Sequence, residues 1–243
     1  MAANGTSAEN GRGVQSCMSR DGMWKVTSRK LPILKAGPIE ELHERIGIPI
    51  PEMIFGDNHV SISHVKSGWT ITFHAEDAMD RVSKTEEGML QVAVAEEWKK
   101  QRSNQEEVKQ FVKPFDWSYS TDYKGTTEKG SSNVDLYEDE LADNGIALLS
   151  IKVRVMPERL LLLCRFFLRL DGVLIRIRDT RVYIEHSTGT VIRQYTAKEE
   201  KYEAVQEKLR GMRDNVAEAF RDANKLAPLL RTLEDRTDVF EVG

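Results

Sequence analysis

Residues 149–196 form an almost unbroken series of alternating segments, LLSIKVRVM, ERLLLLCRFFLRL, VLIRIRDTRVYIE and TVIRQYT, joined by Pro157, Asp171-Gly172 and HSTG. Strand side chains alternate between two faces, so such segments separated by short turn-forming links describe an antiparallel meander. Nothing else in the sequence restricts the fold as much. Asp171-Gly172 is its strongest turn signal. Read as a two-residue hairpin, it pairs Leu170 with Val173, Leu168 with Ile175 and Phe166 with Ile177. These residues, extended by Leu162 and Cys164, make one apolar face. The opposite face then carries Arg165, Arg169, Arg176 and Arg178, with Arg165 roughly opposite Arg178.

Like charges directly opposed destabilise a sheet unless acids or a ligand sit among them. One reading is a solvated face matched by the acidic run YEDELADNG. The other is an anion-accepting surface for a carboxylate or a phosphorylated peptide, to which the guanidinium fork is suited. Asp179 falls on the Ile175 and Ile177 side, where a carboxylate needs a partner. Arg181, on the same side, can supply one, or a bulge turns both outward.

The remaining segments divide between strands and helices. WKVTSRKLPIL reads as a strand, and GPIEELHERIG as a helix opened near Pro38 and closed by Gly47. HVSISHV and WTITFHA read as a hairpin across KSG. EDAMDRVS reads as a short helix, MLQVAVAEEWKKQ as strand or helix, and FDWSYSTDY as a strand with one aromatic face. KGTTEKGSSN reads as loop. After Ala197 the spacing turns helical, with Tyr202, Val205, Leu209, Met212, Val216 and Phe220 on one stripe that Gly211 interrupts or kinks. KLAPLLRTLEDR reads as a second helical segment. The expected organisation is a disordered leader over 1–22 and one α+β domain over 23–243. That domain has a flexible loop at 126–134 and a C-terminal helical segment at 198–236.

The chain is acidic overall, with 35 basic and 39 acidic residues. Charge is uneven: residues 149–195 carry nine Lys and Arg against four acids, and residues 76–143 carry nine against seventeen. The acidic balance argues against a nucleic-acid partner, as does the lack of a glycine-aromatic RNA-binding signature around 115–123. The longest apolar run, residues 160–164, is too short to cross a bilayer. Cys17 lies in a polar tail and Cys164 in an apolar run, so no disulfide is expected and a reducing compartment is: the cytoplasm, with the nucleus as a second location.

Signals for catalysis are weak. FGDNHV superficially matches a metallophosphatase motif, but the companion ligand motifs of a two-metal site are missing, and Gly-Asp-Asn is ordinary turn chemistry. His59, His64 and His74 have no metal-ligand spacing. No nucleophile elbow, phosphate loop or dinucleotide fingerprint occurs. A thiolate is disfavoured at Cys164. No enzyme, cofactor or metal site is expected.

Several ordered stretches together resemble the TOR signalling pathway regulator-like (TIPRL) family of type 2A phosphatase-binding proteins. They are PEMIFGDNHVSISH, ITFHAEDAM, GMLQVAVAEEW, VKPFDWSYSTDYKGT, LYEDELADNGIALLSIKVRVMP, LLCRFFLRLDGVLIRIRDTRVY and VIRQYTAKEEK. FRDANKLAPLL is similar to a later motif, with Ala223 where the family has proline. The bridge between DYKGT and LYEDEL is shorter than the family's usual insert, which includes a strand.

The resemblance implies an α+β fold of two antiparallel sheets partly covered by helices. It implies a non-enzymatic regulator in TOR and nutrient signalling, binding and inhibiting the catalytic subunit of type 2A-like serine/threonine phosphatases, with a further phosphatase-associated regulator as a possible third component. A cleft would accept that subunit's C-terminal tail. By position, Asp77, Ile177 and Asp179 are the implied cleft residues, and Ile177 stands where family members often have methionine. Arg176 and Arg178 join them if the basic sheet face receives the tail carboxylate. The alternative is a scaffold that takes other acidic or phosphorylated partners on that face.

Overall fold

The computed structural model describes residues 13–47, 50–75, 82–84, 90–92, 132–212 and 215–242. Strands β1 (Val14–Met18), β2 (Trp24–Arg29), β4 (His59–His64) and β5 (Thr70–His74) form a four-stranded antiparallel sheet in that spatial order. Helix α1 (Ala36–Ile46) and the two-residue strand β3 (Met53–Ile54) lie between β2 and β4 in sequence. β6 (Val82–Lys84) and β7 (Leu90–Val92) pair as a separate ribbon. The meander follows as β8 (Ser132–Asp139), β9 (Gly145–Val155), β10 (Arg159–Leu170), β11 (Leu174–Glu185) and β12 (Thr190–Lys201). Helices α2 (Tyr202–Gly211), α3 (Val216–Ala219) and α4 (Ala223–Leu226) and a 3₁₀ turn at Ala227–Leu229 precede the last strand, β13 (Arg231–Glu241). The second sheet has seven strands in the order β13-β12-β11-β10-β9-β8-β3. The α+β class with two antiparallel sheets matches the expectation.

The β4–β5 hairpin and α1 also lie where the pattern puts them. Gly47 adopts the left-handed conformation, φ 69°, as its position after the last helical turn requires, and its N–H caps His43 O at 2.8 Å. α2 ends at Gly211, and Met212, expected on the apolar stripe, is exposed. The FGDNHV turn is structural. Asn58 accepts from Leu31 N at 2.6 Å and donates to Asp135 O at 2.8 Å, tying the turn before β4 to β8.

Three expectations change. Residues 14–18, assigned to a disordered leader, pair along their length with β2. Residues 231–236, assigned to a C-terminal helical segment, open an edge strand on β12. The open edge of β12 outweighs the helical reading by giving residues 231–241 a pairing partner, and a bulge between Ala197 and Lys198 absorbs one residue of β13. Residues 198–201, in the same expected segment, complete β12, and Val82 and Ser83, read as the end of a helix, stand in β6. The aromatic strand at 115–123, the loop at 126–134 as far as residue 131, and Asp77 lie outside the described residues.

The third change is register, and it decides the site. β10 and β11 are joined by three residues, not two: Leu170 pairs with Leu174, Val173 N donates to Leu170 O at 3.0 Å, and Gly172 takes φ 73°. The extra residue shifts β11 by one position and turns each of its side chains to the other face. Arg165 is therefore opposite Asp179, Phe166 opposite Arg178, and Phe167 opposite Ile177.

Two cores result. Leu160, Leu162, Val182, Ile184 and Val191 of the large sheet meet Trp24, Val26, Val60 and Ile62 of the small one. On the other face of the large sheet, Phe167, Ile175 and Ile177 are covered by Val205 and Leu209 of α2 and by Phe220, Leu226 and Leu230. Tyr202 stacks on Phe220 with rings 4.7 Å apart and 3° from parallel.

Candidate functional site

Because odd-numbered and even-numbered residues of β11 point oppositely, the expected site residues do not converge on one surface. Ile177 and Asp179 face the C-terminal helices, whereas Arg176 and Arg178 face the side of the small sheet. The single basic face expected from a two-residue hairpin does not exist. Its arginines divide between the two sides: Arg165 and Arg169 lie beneath the helices, where Arg181 joins them, and Arg176 and Arg178 lie on the reverse.

On the reverse side, Arg176 is paired with Glu199, its cross-strand neighbour on β12. Arg178 lies opposite Phe166 and Ala197. Nearby on the same face, Arg236 stands over the Tyr195 ring at 5.4 Å from its centroid.

The helix-covered side carries a denser arrangement. Asp179 is 2% exposed. Its Oδ1 accepts from Arg165 Nε, and its Oδ2 accepts from both Arg165 Nη2 and Arg181 Nη2, each at 2.7 Å. The Arg165 bond pair is the bidentate fork expected of a guanidinium on a carboxylate. Arg165 Nη1 continues to Asn224 Oδ1 at 2.7 Å, and the Asp222 side chain caps Asn224 N at 2.8 Å. Thus the FRDANKLAPLL motif supplies the residue that ties α4 to the arginine network.

Three more cations grip the same C-terminal segment by its carbonyls. Arg169 Nη1 donates to Phe220 O at 3.1 Å, Lys198 Nζ to Ala227 O at 3.2 Å and Lys208 Nζ to Leu229 O at 2.7 Å. These bonds satisfy main-chain acceptors at the ends of short helices, which have few internal partners.

Asp179 accepts from two guanidiniums, and Asp235 on β13 is a second acid close enough to favour the charged form of Arg181. Burial pulls the Arg181 guanidinium below its ordinary pKa, Arg165 adds to the depression, and Asp179 opposes it. It remains charged at neutral pH. Arg181 Nη1 reaches Thr196 Oγ1 at 3.3 Å, but its buried Nε has no acceptor. The place therefore offers directed guanidinium N–H donors to a carboxylate.

Of the alternatives for Asp179, the pair with Arg181 is the one observed. Arg165 and Asn224, which the sequence reading did not assign to the site, complete it. The acidic run YEDELADNG contributes none of the arginine ion pairs found among the described residues; their acids come from Glu158, Asp171, Asp179, Glu199, Glu234 and Asp238. Cys164 and Cys17 are not joined in a disulfide. Burial, with Asp179 nearby, pushes the Cys164 thiol up to about 12, so it is protonated at neutral pH. Among the described residues no group of His, Cys, Asp and Glu is arranged to hold a metal ion, and no helix is long and apolar enough to cross a membrane.

Comparison with known proteins gives one family. A model of the TIP41-like family matches residues 53–135 and 131–206. The TIP41-like protein of Homo sapiens is 44% identical over 207 residues, covering 74% of this chain and 75% of the relative. A protein of Saccharomyces cerevisiae named type 2A phosphatase activator TIP41 is 37% identical over 246 residues, covering 84% and 69%. Its namesake in Schizosaccharomyces pombe is 32% identical over 206 residues, covering 75% and 81%. The family resemblance of the quoted segments is thereby borne out.

Proposed function

The chain belongs to the TIP41-like family, and from that premise we propose that it is a non-enzymatic regulator of a type 2A serine/threonine phosphatase, binding the catalytic subunit by its C-terminal tail. The observation that carries the reading is the match, over most of this chain, to two fungal relatives named type 2A phosphatase activator. The arginine network around Asp179 supports it.

Ile177 and Asp179 are too buried to meet a partner directly, so their contribution is to position what does. Asp179 aims the Arg165 and Arg181 guanidiniums, and Ile177 seats the helices that border them. Arg181, whose side chain is 20% exposed, is the group that receives a tail carboxylate. The alternative of a scaffold using one continuous arginine face loses its basis, since register divides those arginines.

Inhibition by occlusion, the mode implied by the resemblance, stands against the word activator in the fungal names, so the test reads the sign as well as the binding. Purified catalytic subunits, intact and lacking their last residues, are captured on the immobilised chain and their turnover is measured. Retention of the intact subunit alone supports tail binding, and equal retention of the truncated form refutes it. A fall in turnover supports occlusion; a rise supports activation.

A further inference from the structure

The outward face of the small sheet has a composition that its acidic chain does not lead one to expect. Its inward residues, Trp24, Val26, Val60 and Ile62, are core. The intervening positions look outward, and none of those described on the four strands is a carboxylate. Register aligns Arg29, His59 and His74 as neighbours across β2, β4 and β5, with the two imidazole rings 5.0 Å apart. With strands about 4.8 Å apart, this basic row spans about 10 Å.

The next outward row is made of hydroxyls. Ser16, Thr27, Ser61 and Thr72 follow one another across all four strands, with Ser16 and Thr27 oxygens 3.2 Å apart and Thr72 donating to Ser61 at 3.1 Å. One row further, about 13 Å from Arg29 along β2, Lys25 is exposed.

Among the described strand residues this row has no carboxylate of its own. Among the described residues Arg29 makes no ion pair, and its buried Nε has no hydrogen-bond acceptor. Burial and then His74 depress the His59 pKa, with Arg29 adding to the effect. Asp57, in the turn before β4, works the other way but is exposed and outside the strand face. A flat face with a guanidinium and two imidazoles in one row, hydroxyl donors in the next and an ammonium beyond is built for an oxyanion followed by a second negative charge.

We propose that this face docks a phosphorylated segment of a partner protein, laid extended along the strands, with its phosphate at Arg29, His59 and His74 and an acidic residue about four positions away at Lys25. The phosphate oxygens would accept from the Arg29 guanidinium and the imidazoles, and the hydroxyl row would accommodate the peptide backbone. The surface belongs to the other sheet from Arg181 and does not depend on the tail-binding reading.

The test uses the full chain and three probes at low salt: a synthetic Ala-pSer-Ala-Ala-Ala-Glu-Ala peptide, the same peptide without phosphate, and vesicles of phosphatidylcholine and phosphatidylserine in equal parts. Binding is read by fluorescence anisotropy for the peptides and by cosedimentation for the vesicles, and the His59 and His74 ring resonances are followed by NMR. The phosphopeptide is expected to bind and move both rings, the unphosphorylated peptide to do neither. Arg29→Gln should weaken phosphopeptide binding about tenfold or more, as removal of a charge-assisted hydrogen bond does. The exposed control Arg159→Gln should leave it unchanged. Phosphopeptide binding that leaves the rings unmoved, survives Arg29→Gln or is matched by the unphosphorylated peptide overturns the proposal, as do no binding and capture by vesicles alone. Arg29→Gln should retain the phosphatase subunit in any case, so this failure and that of the tail reading are separable.

Discussion

Replacing Asp179 by alanine should cost about 3–5 kcal/mol of folding stability, the range for removing one partner of a buried ion pair. The Asp179 side chain is 3% exposed, and the side chains of the two arginines it holds are 12% and 20% exposed. Without the carboxylate, two cations would remain close together in a poorly solvated place. Most of the cost is that uncompensated charge rather than the worth of the three hydrogen bonds. Asp179→Asn should fall between, since an amide keeps one acceptor but no charge. Both variants should lose phosphatase binding along with stability, because Arg165 and Arg181 lose their aim. Chemical denaturation measures the effect; an Asp179→Ala variant as stable as the parent would show that the carboxylate bears no structural load.

The second large effect is expected at Ile177. It is 1% exposed, paired across strands with Phe167 and roofed by α2 and the segment after it. Ile177→Ala should cost about 2–5 kcal/mol, through lost burial and the cavity left behind. Ile177→Met, close in volume and able to flex into the same space, should cost less than about 1.5 kcal/mol and leave binding near normal. The contrast separates two roles. A residue lining an open cleft would lose binding on truncation without losing stability, and that pattern would contradict its assignment to the core.

The contrast between these residues and Arg176 shows how far a sequence can be read. Alternation in residues 149–196 gives the meander, and Gly47 and Gly211 mark where two helices stop, because each signal is local. Which residues share a face across two strands depends on the length of one turn. Asp171-Gly172 is equally compatible with two or three linking residues, and the choice inverts every face assignment on β11. Closing the hairpin with three residues would have put Arg165 against Asp179 from sequence alone. The Arg181 partner of Asp179 is legible from the strand alternation, whereas the two-residue closure hides Arg165, the bidentate one. Asn224 was legible only as part of a motif, since its bond to Arg165 joins positions 59 residues apart. β13 was missed for a related reason: TLEDRTDVFE becomes a strand when the edge of β12 is there to receive it, and no local pattern announces that edge.

Binding of a synthetic phosphatase tail peptide to the parent chain and to Arg181→Gln, measured by calorimetry, tests most directly whether the chain acts by holding another polypeptide's end. Asp179 keeps its bidentate bond to Arg165 in this variant, so the fold should persist and the melting transition should confirm it. The account predicts that the parent binds the peptide and that the folded variant binds at least about tenfold more weakly, the effect of losing one charge-assisted contact. Undiminished affinity in the folded variant, or a parent chain that ignores the peptide, would contradict it.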